Sequence, residues 1–179
     1  MDQEPEINFD RLMQHVKQVR QEVYEDADHP DIFRNMGIDV QKGTARFKDP
    51  HTVLIGSPDQ EQIEVSSKFI FLATGSSAMV PPIPGIEKVN YLTNESLFEI
   101  EELPEHLIVV GAGPIGVEMG QAFNRLGSSV TIIDQADGIL TKDDPELTGR
   151  LQKVLEKEGI EFQLNRIITE IVPAENGDV

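Results

Sequence analysis

The sequence predicts an α/β fold: a parallel sheet in the second half, preceded by a helix and a small antiparallel meander. Three observations predict it. From residue 107 onward, short apolar runs alternate with amphipathic helical stretches in the order β-α-β-α-β, which demands parallel strands joined by crossover helices. Before residue 30 the apolar residues recur at helical spacing, whereas between 38 and 72 they fall in short runs broken by turn residues. A glycine-rich turn joins the first strand and the first helix of the second half.

The elements follow in order. Phe9, Leu12, Met13, Val16, Val19 and Val23 form one helical face, with Asn8 as its cap, and His29-Pro30 stops the pattern. Runs at Ile38–Phe47, Thr52–Ile55 and Gln62–Val65 are separated by Lys48-Asp49-Pro50 and Gly56-Ser57-Pro58-Asp59, which reads as an antiparallel meander. Phe69-Ile70-Phe71-Leu72-Ala73 is apolar on both faces, as in a buried strand. Val80-Pro81-Pro82-Ile83-Pro84-Gly85 is a stiff crossing that marks a domain boundary. Leu107–Val110 reads as a buried strand, and residues 114–126 as a helix with Ile115, Met119, Ala122, Phe123 and Leu126 on one face, ended by Gly127. Ser129–Ile133 is the second strand. Asp144-Pro145 starts a helix striped by Leu147, Leu151, Val154 and Leu155, and Gly159 stops it. Ile160–Leu164 is a third strand, Ile167–Val172 begins another, and the chain ends in Ala174–Val179.

Composition narrows the function. The 179 residues carry 15 Lys and Arg against 32 Asp and Glu, a net charge of −17, which disfavours nucleic-acid partners. No apolar run approaches the roughly 20 residues of a membrane span, and Met1–Pro5 lacks the features of a signal peptide. Cysteine is absent, which excludes a disulfide, a Cys-ligated metal and a thiol nucleophile within these residues and fits a cytoplasmic protein. No histidine has a second ligand at metal spacing, so no metal site is expected. Glu99, Glu101, Glu102 and Glu105 read as a solvated acidic run.

The chemistry concentrates at Gly111-Ala112-Gly113-Pro114-Ile115-Gly116, a G-x-G-x-x-G turn between strand and helix. Gly111 allows the tight turn, Gly113 lets backbone approach a pyrophosphate, and Gly116 lets helix pack on strand. The helix start offers free N–H groups and a positive dipole end. Asp134 ends the second strand, 23 positions after Gly111, where a carboxylate accepts a ribose hydroxyl and repels a 2′-phosphate. The expected fold is therefore of Rossmann type, and the expected ligand is NAD.

Gly43-Thr44-Ala45, Ala73-Thr74-Gly75-Ser76, Pro81-Pro82-Ile83-Pro84-Gly85 and Leu103–Glu118 form a series in fixed order. The series resembles the class I pyridine nucleotide–disulfide oxidoreductases, most of all the mercuric reductase and dihydrolipoamide dehydrogenase branch. The resemblance runs from about Phe9 to Leu164. It implies part of an FAD-binding α/β domain at 1–80, a crossing segment at 81–106, and part of an NAD(H)-binding Rossmann domain at 107–179. It further implies that Ala45, Thr74 and Gly75 touch FAD. Gly111, Gly113, Pro114, Ile115 and Gly116 would line the nicotinamide dinucleotide. Glu118 matches a glutamate that pairs near the flavin with a lysine; its plain alternative is a solvent-facing helix carboxylate. The implied activity passes a hydride from NADH to FAD and on to a disulfide or metal-thiolate acceptor, in a homodimer acting on a small-molecule or disulfide substrate.

The departures from the family pattern are specific. This sequence has no glycine motif before Gly111 for the FAD pyrophosphate, no redox cysteine pair with its following lysine, no later Gly-Asp motif, and no dimerisation domain with a His-Glu pair. The expectation is an internal fragment of such an enzyme, inactive by itself. Two alternatives stay open: a catalytically silent nucleotide-binding module, and a flavin NADH oxidase without a redox disulfide. Nothing in these residues selects the electron acceptor.

Overall fold

The computed structural model describes residues 7–56 and 62–174. The elements run α1 (Phe9–Val23), α2 (Pro30–Asn35), β1 (Ala45–Asp49), β2 (Thr52–Ile55), β3 (Ile63–Ser66), β4 (His106–Val110), α3 (Pro114–Leu126), β5 (Ser129–Ile133), α4 (Pro145–Lys157) and β6 (Glu161–Gln163). The chain divides into two compact units. One comprises Gln18–Ser77; the other joins the residues up to Lys17 with those from Ala78 onward. The fold is the predicted α/β class, with one antiparallel and one parallel three-stranded sheet.

Helix α1 starts where the sequence places it: the Arg11 N–H donates to Asn8 Oδ1 at 2.8 Å. Met13 is buried and Phe9 packs against the core of the second unit, whereas Val19 and Val23 are exposed. A π-helical turn, Tyr24–Asp28, follows. His29-Pro30 ends that pattern and opens a new one. His29 Nδ1 accepts the Asp31 N–H at 3.2 Å, and Pro30 occupies the first turn of α2, where a missing N–H costs nothing.

In the Gln18–Ser77 unit the meander forms as predicted, in the order β1-β2-β3 with both pairs antiparallel. Asp49 turns the first hairpin by accepting the His51 N–H at 2.8 Å, and the β1–β2 register slips between Phe47 and Asp49. Lys48 Nζ meets Glu64 Oε2 at 2.7 Å on the two strands that flank β2. The predicted turn at Ser57–Asp59 lies outside the described residues, as do Met1–Pro5 and the terminal 175–179. The expected strand at Lys68–Ala73 does not form. No strand among the described residues pairs with it, and Phe71 is 93% exposed. An apolar segment without a ladder partner gains neither backbone hydrogen bonds nor burial.

In the other unit β4, β5 and β6 are parallel and lie side by side in chain order, with Val109 opposite Ile132 and Ile132 opposite Phe162. Asp144 Oδ1 caps α4 by accepting the Glu146 and Leu147 N–H groups at 2.9 and 3.1 Å. Gly127 and Gly159 close α3 and α4 in the left-handed conformation, as predicted. The core gathers Val117, Phe123, Val130, Ile132, Ile139, Leu155 and Ile160.

Three expectations need correction here. The buried face of α3 is Val117–Gly120–Phe123, not the stripe through Ile115 and Ala122, because the helix meets the sheet along its glycine row. The β4 strand is buried on one face only: Leu107 and Val109 point to the core while Ile108 and Val110 are about half exposed, since no described element covers the second face. Ile167–Val172 forms no strand. Instead the Ile171 N–H donates to Pro84 O at 2.8 Å, and a Cβ on Gly85 would lie 2.0 Å from Ile171 O.

One surface network ties the helix ends together. Arg125 donates from Nε and Nη2 to both Glu158 oxygens at 3.0 and 2.7 Å, Gln121 adds a bond at 3.2 Å, and Asn124 Nδ2 reaches Glu158 O at 2.9 Å. The Arg125 hydrogen bonds, then that of Gln121, hold the Glu158 carboxyl below its ordinary value of 4.5. A carboxyl lowered on folding stabilises fully above its unfolded value, and that stabilisation is lost as pH falls through the lower folded value. Glu158→Gln is therefore expected to lower the thermal midpoint at pH 7, and the difference from wild type should shrink steadily below pH 4.5. Calorimetric melts across that range check it; a difference that stays constant with pH defeats the assignment.

Candidate functional site

Strand β4 delivers the chain into the glycine turn. Gly111 takes φ 112°, open to glycine at no steric cost, and its N–H donates to Ile133 O at 2.8 Å, so the turn begins pinned to β5. Ala112 is buried and held at both ends: its N–H donates to Asp134 Oδ2 at 2.7 Å, and its carbonyl accepts the Leu140 N–H at 2.9 Å. Gly113 caps α3 with extended backbone, Pro114 follows at the first helical position, and the first helical bond runs from the Val117 N–H to Gly113 O at 3.0 Å. The N–H groups of Gly113, Ile115 and Gly116 have no acceptor among the described residues.

The glycines differ in what a side chain would meet. A Cβ on Gly116 would lie 2.0 Å from Gly111 O and 3.2 Å from Val109 Cγ1, and one on Gly120 2.9 Å from Ile132 Cδ1. Gly116, blocked by backbone, is required by the fold itself, whereas Gly120 meets only the tip of a side chain that can shift. A Cβ on Gly113 would meet nothing within 4 Å. Glycine there clears space in front of free N–H groups, a cradle fitted to a pyrophosphate at a helix start.

Asp134 follows β5. Besides Ala112, it accepts the Ala136 N–H on Oδ1 at 2.8 Å, and its backbone bonds Gln163 O and the Arg166 N–H at 3.1 and 2.9 Å. The structure thus brings Gly111, Gly113, Pro114, Ile115, Gly116 and Asp134 together around one turn. Glu118, one turn along α3, is exposed and has no hydrogen-bond or ion-pair partner among the described residues. It lines a shallow cavity of about 340 Å³ with Pro114, Val117, Gln121, Leu140, Asp143 and Leu151. Ala45, Thr74 and Gly75 belong to the other unit. Ala45 opens β1 opposite Ile55; Thr74 and Gly75 lie in exposed chain outside helix and strand, with Gly75 in the left-handed region at φ 69°. No hydrogen bond joins Ala45 to Thr74 or Gly75 among the described residues. Among those residues, too, no group of three His, Asp or Glu side chains is placed to hold a metal ion, and no helix is long and apolar enough to cross a membrane.

Sequence reasoning missed two contributors. Ala112 carried a weak signal, as the non-glycine between Gly111 and Gly113. Leu140 carried none: its left-handed φ of 49° is set by tertiary context, where it aims its N–H at the turn.

A profile of the pyridine nucleotide-disulphide oxidoreductases matches residues 5–179. The chain belongs to this family. It is 37% identical over 130 residues to the mercuric reductase of Lysinibacillus sphaericus, covering 73% of this chain and 23% of that one. It is 36% identical over 135 residues to the dihydrolipoamide dehydrogenase of Chaetomium thermophilum, covering 74% and 26%. Among solved structures, the HOCl-induced flavoprotein disulfide reductase RclA from Escherichia coli superposes with a TM-score of 0.77 at 30% identity, over 96% of this chain and 38% of that one. The chain therefore spans well under half the length of these relatives. Both branches named from the glycine turn and its companion motifs recur among them.

The two kinds of glycine in this family member separate by experiment. Gly116→Ala forces a Cβ into Gly111 O and is expected to cost at least ~2 kcal/mol, several degrees of thermal midpoint for a unit of this size. Gly113→Ala, with open space, should leave the midpoint of the nucleotide-free protein within about one degree of wild type. Thermal melts of both variants read the difference directly, and equal losses would remove the distinction.

Proposed function

We propose that this protein serves an NADH-dependent flavoprotein oxidoreductase, in which a hydride passes from NADH to FAD and on to a disulfide or metal-thiolate acceptor. The observation that carries the reading is the turn at Gly111–Gly116: three free N–H groups at a helix start, cleared by Gly113 and flanked by Asp134. Family membership supports the flavin half, with 107–179 as part of the NAD(H) domain and 1–80 as part of the FAD domain. When bound, the two cofactors supply the redox chemistry, and the protein's residues orient them.

The geometry of the turn supports the pyrophosphate and ribose roles, and the family resemblance supplies the rest. The N–H groups of Gly113, Ile115 and Gly116 take the NADH pyrophosphate. Asp134 accepts a ribose hydroxyl and repels a 2′-phosphate. Glu118 pairs with the flavin-side lysine of the intact enzyme, consistent with its unpartnered, exposed carboxylate beside the turn. Ala45, Thr74 and Gly75 contact FAD. A disulfide step needs thiols that these 179 residues do not carry, so residues 1–179 alone should reduce no disulfide. A homodimer in the cytoplasm, acting on a small-molecule or disulfide substrate, completes the reading.

Two measurements test it. NADH should bind at least roughly tenfold tighter than NADPH, because Gln135-Ala136-Asp137 after Asp134 supply no cation for a 2′-phosphate. Competitive titration checks this, and equal affinity removes the ribose role from Asp134. Glu118→Gln in the flavin-loaded enzyme should slow flavin reduction by NADH while leaving the NADH dissociation constant within about twofold, since its charge acts on the flavin side and not on the adenine end. Stopped-flow absorbance near the flavin band reads both, and an unchanged rate constant returns Glu118 to a plain surface carboxylate.

A further inference from the structure

The Asp134 carboxylate is already engaged before any nucleotide is present. Oδ2 accepts the Ala112 N–H at 2.7 Å and Oδ1 accepts the Ala136 N–H at 2.8 Å. Both are short, as hydrogen bonds to a charged acceptor are. Ala112 lies between Gly111 and Gly113, the two residues with the widest backbone freedom in the turn. Its N–H is tethered to Asp134 and its carbonyl accepts the Leu140 N–H at 2.9 Å, so the two successive peptide planes that meet at Ala112 are each held by one bond, the Gly111–Ala112 plane by Asp134 and the Ala112–Gly113 plane by Leu140. The Gly113 N–H lies in the second plane, and Asp134 acts on it one residue upstream, by fixing the plane from which the Ala112 backbone continues.

We infer that Asp134 is a positioning residue for the pyrophosphate turn: its carboxylate sets the turn in the free protein and keeps both backbone bonds when nucleotide binds. A carboxylate offers about four acceptor sites. Two serve Ala112 and Ala136, which leaves one on each oxygen for the ribose hydroxyls. Charge on Asp134 therefore acts on the phosphate end of the ligand through the backbone, in addition to any contact with the sugar. This rests on the reading of the turn as a nucleotide site and deepens it.

Asp134→Asn is the test, because it preserves size and leaves a single acceptor oxygen; its amide then opposes one of the two N–H donors. Amide exchange at Ala112 and Ala136 in the nucleotide-free protein should accelerate by roughly tenfold or more. Unchanged exchange at both overturns the clamp. Affinity should fall by similar factors for ADP and for 2′,3′-dideoxy-ADP, which has no sugar hydroxyl to offer. A loss confined to ADP means that Asp134 acts through the ribose alone and overturns the inference. If the variant does not fold, the wild type still decides. Hydrogen-bond couplings from the Ala112 and Ala136 nitrogens to the Asp134 carboxyl carbon should be visible by NMR both free and saturated with ADP, and their loss on saturation overturns the bound-state claim. Failure of the wild type to bind ADP defeats the nucleotide reading and that same claim; the exchange measurement then still judges the clamp in the free protein.

Discussion

The parallel unit depends on how closely α3 approaches the two strands that flank its turn. At Gly116 the helix comes so near the Gly111 carbonyl that no Cβ fits, and at Gly120 it rests on Ile132 with a clearance that a methyl group would remove. That approach has two consequences. It buries Ile132 completely and lets Val117 and Phe123 fill the space between helix and sheet, where they join the core. It also draws the start of α3 down onto the end of β4, so the helix's first N–H groups open beside the carboxyl end of the sheet. Packing and binding geometry are thus one constraint. A bulkier residue at Gly116 would move the helix off the sheet and its N–H groups away from the strand ends together.

Much of this was legible because the relevant signals are local. Caps at Asn8 and Asp144, the glycine stops at Gly127 and Gly159, and the alternation of apolar runs with helical stripes each depend on a few adjacent residues, and each appears where the sequence puts it. What was not legible depends on partners distant in the chain. Lys68–Ala73 has strand composition, but a strand exists only as a pair, and no described strand pairs with it. The face of α3 was right at Phe123 and Met119 but misjudged at Ile115 and Ala122, because periodicity ranks residues by apolarity, whereas the close approach at Gly116 and Gly120 turns Val117 to the sheet. Ile115 is exposed for the same reason. Gly85 read as part of a stiff crossing; its buried position against the Ile171 backbone, 86 residues away, follows from tertiary structure alone. The site divided in the same way. Glycine spacing and the acidic residue after β5 were visible, but the bonds from Asp134 to Ala112 and Ala136, and the support from Leu140, were not.

The electrostatics of the turn bear on how a chain of net charge −17 could present the anion site proposed for it. Between His106 and Asn124 there is no lysine or arginine; the first cation, Arg125, stands at the far end of α3 and is committed to Glu158. In the proposed reading, attraction for phosphate oxygens comes from the backbone N–H groups that open the helix and from the dipole of α3, which act within a turn of the helix start and fade beyond it. Near that short-range positive end stand Glu118, on the first turns of α3, and Asp134, bonded to Ala112. On the same reading the combination is selective by distance: phosphate oxygens seated on the N–H groups feel the helix start, whereas a further dianionic group placed near the sugar would face the Asp134 carboxylate. A lysine-based site would attract both anions alike. In the proposed reading the carboxylate that would repel a second phosphate is also the one that holds Ala112 and Ala136, so one charge would serve both the turn's shape and its discrimination.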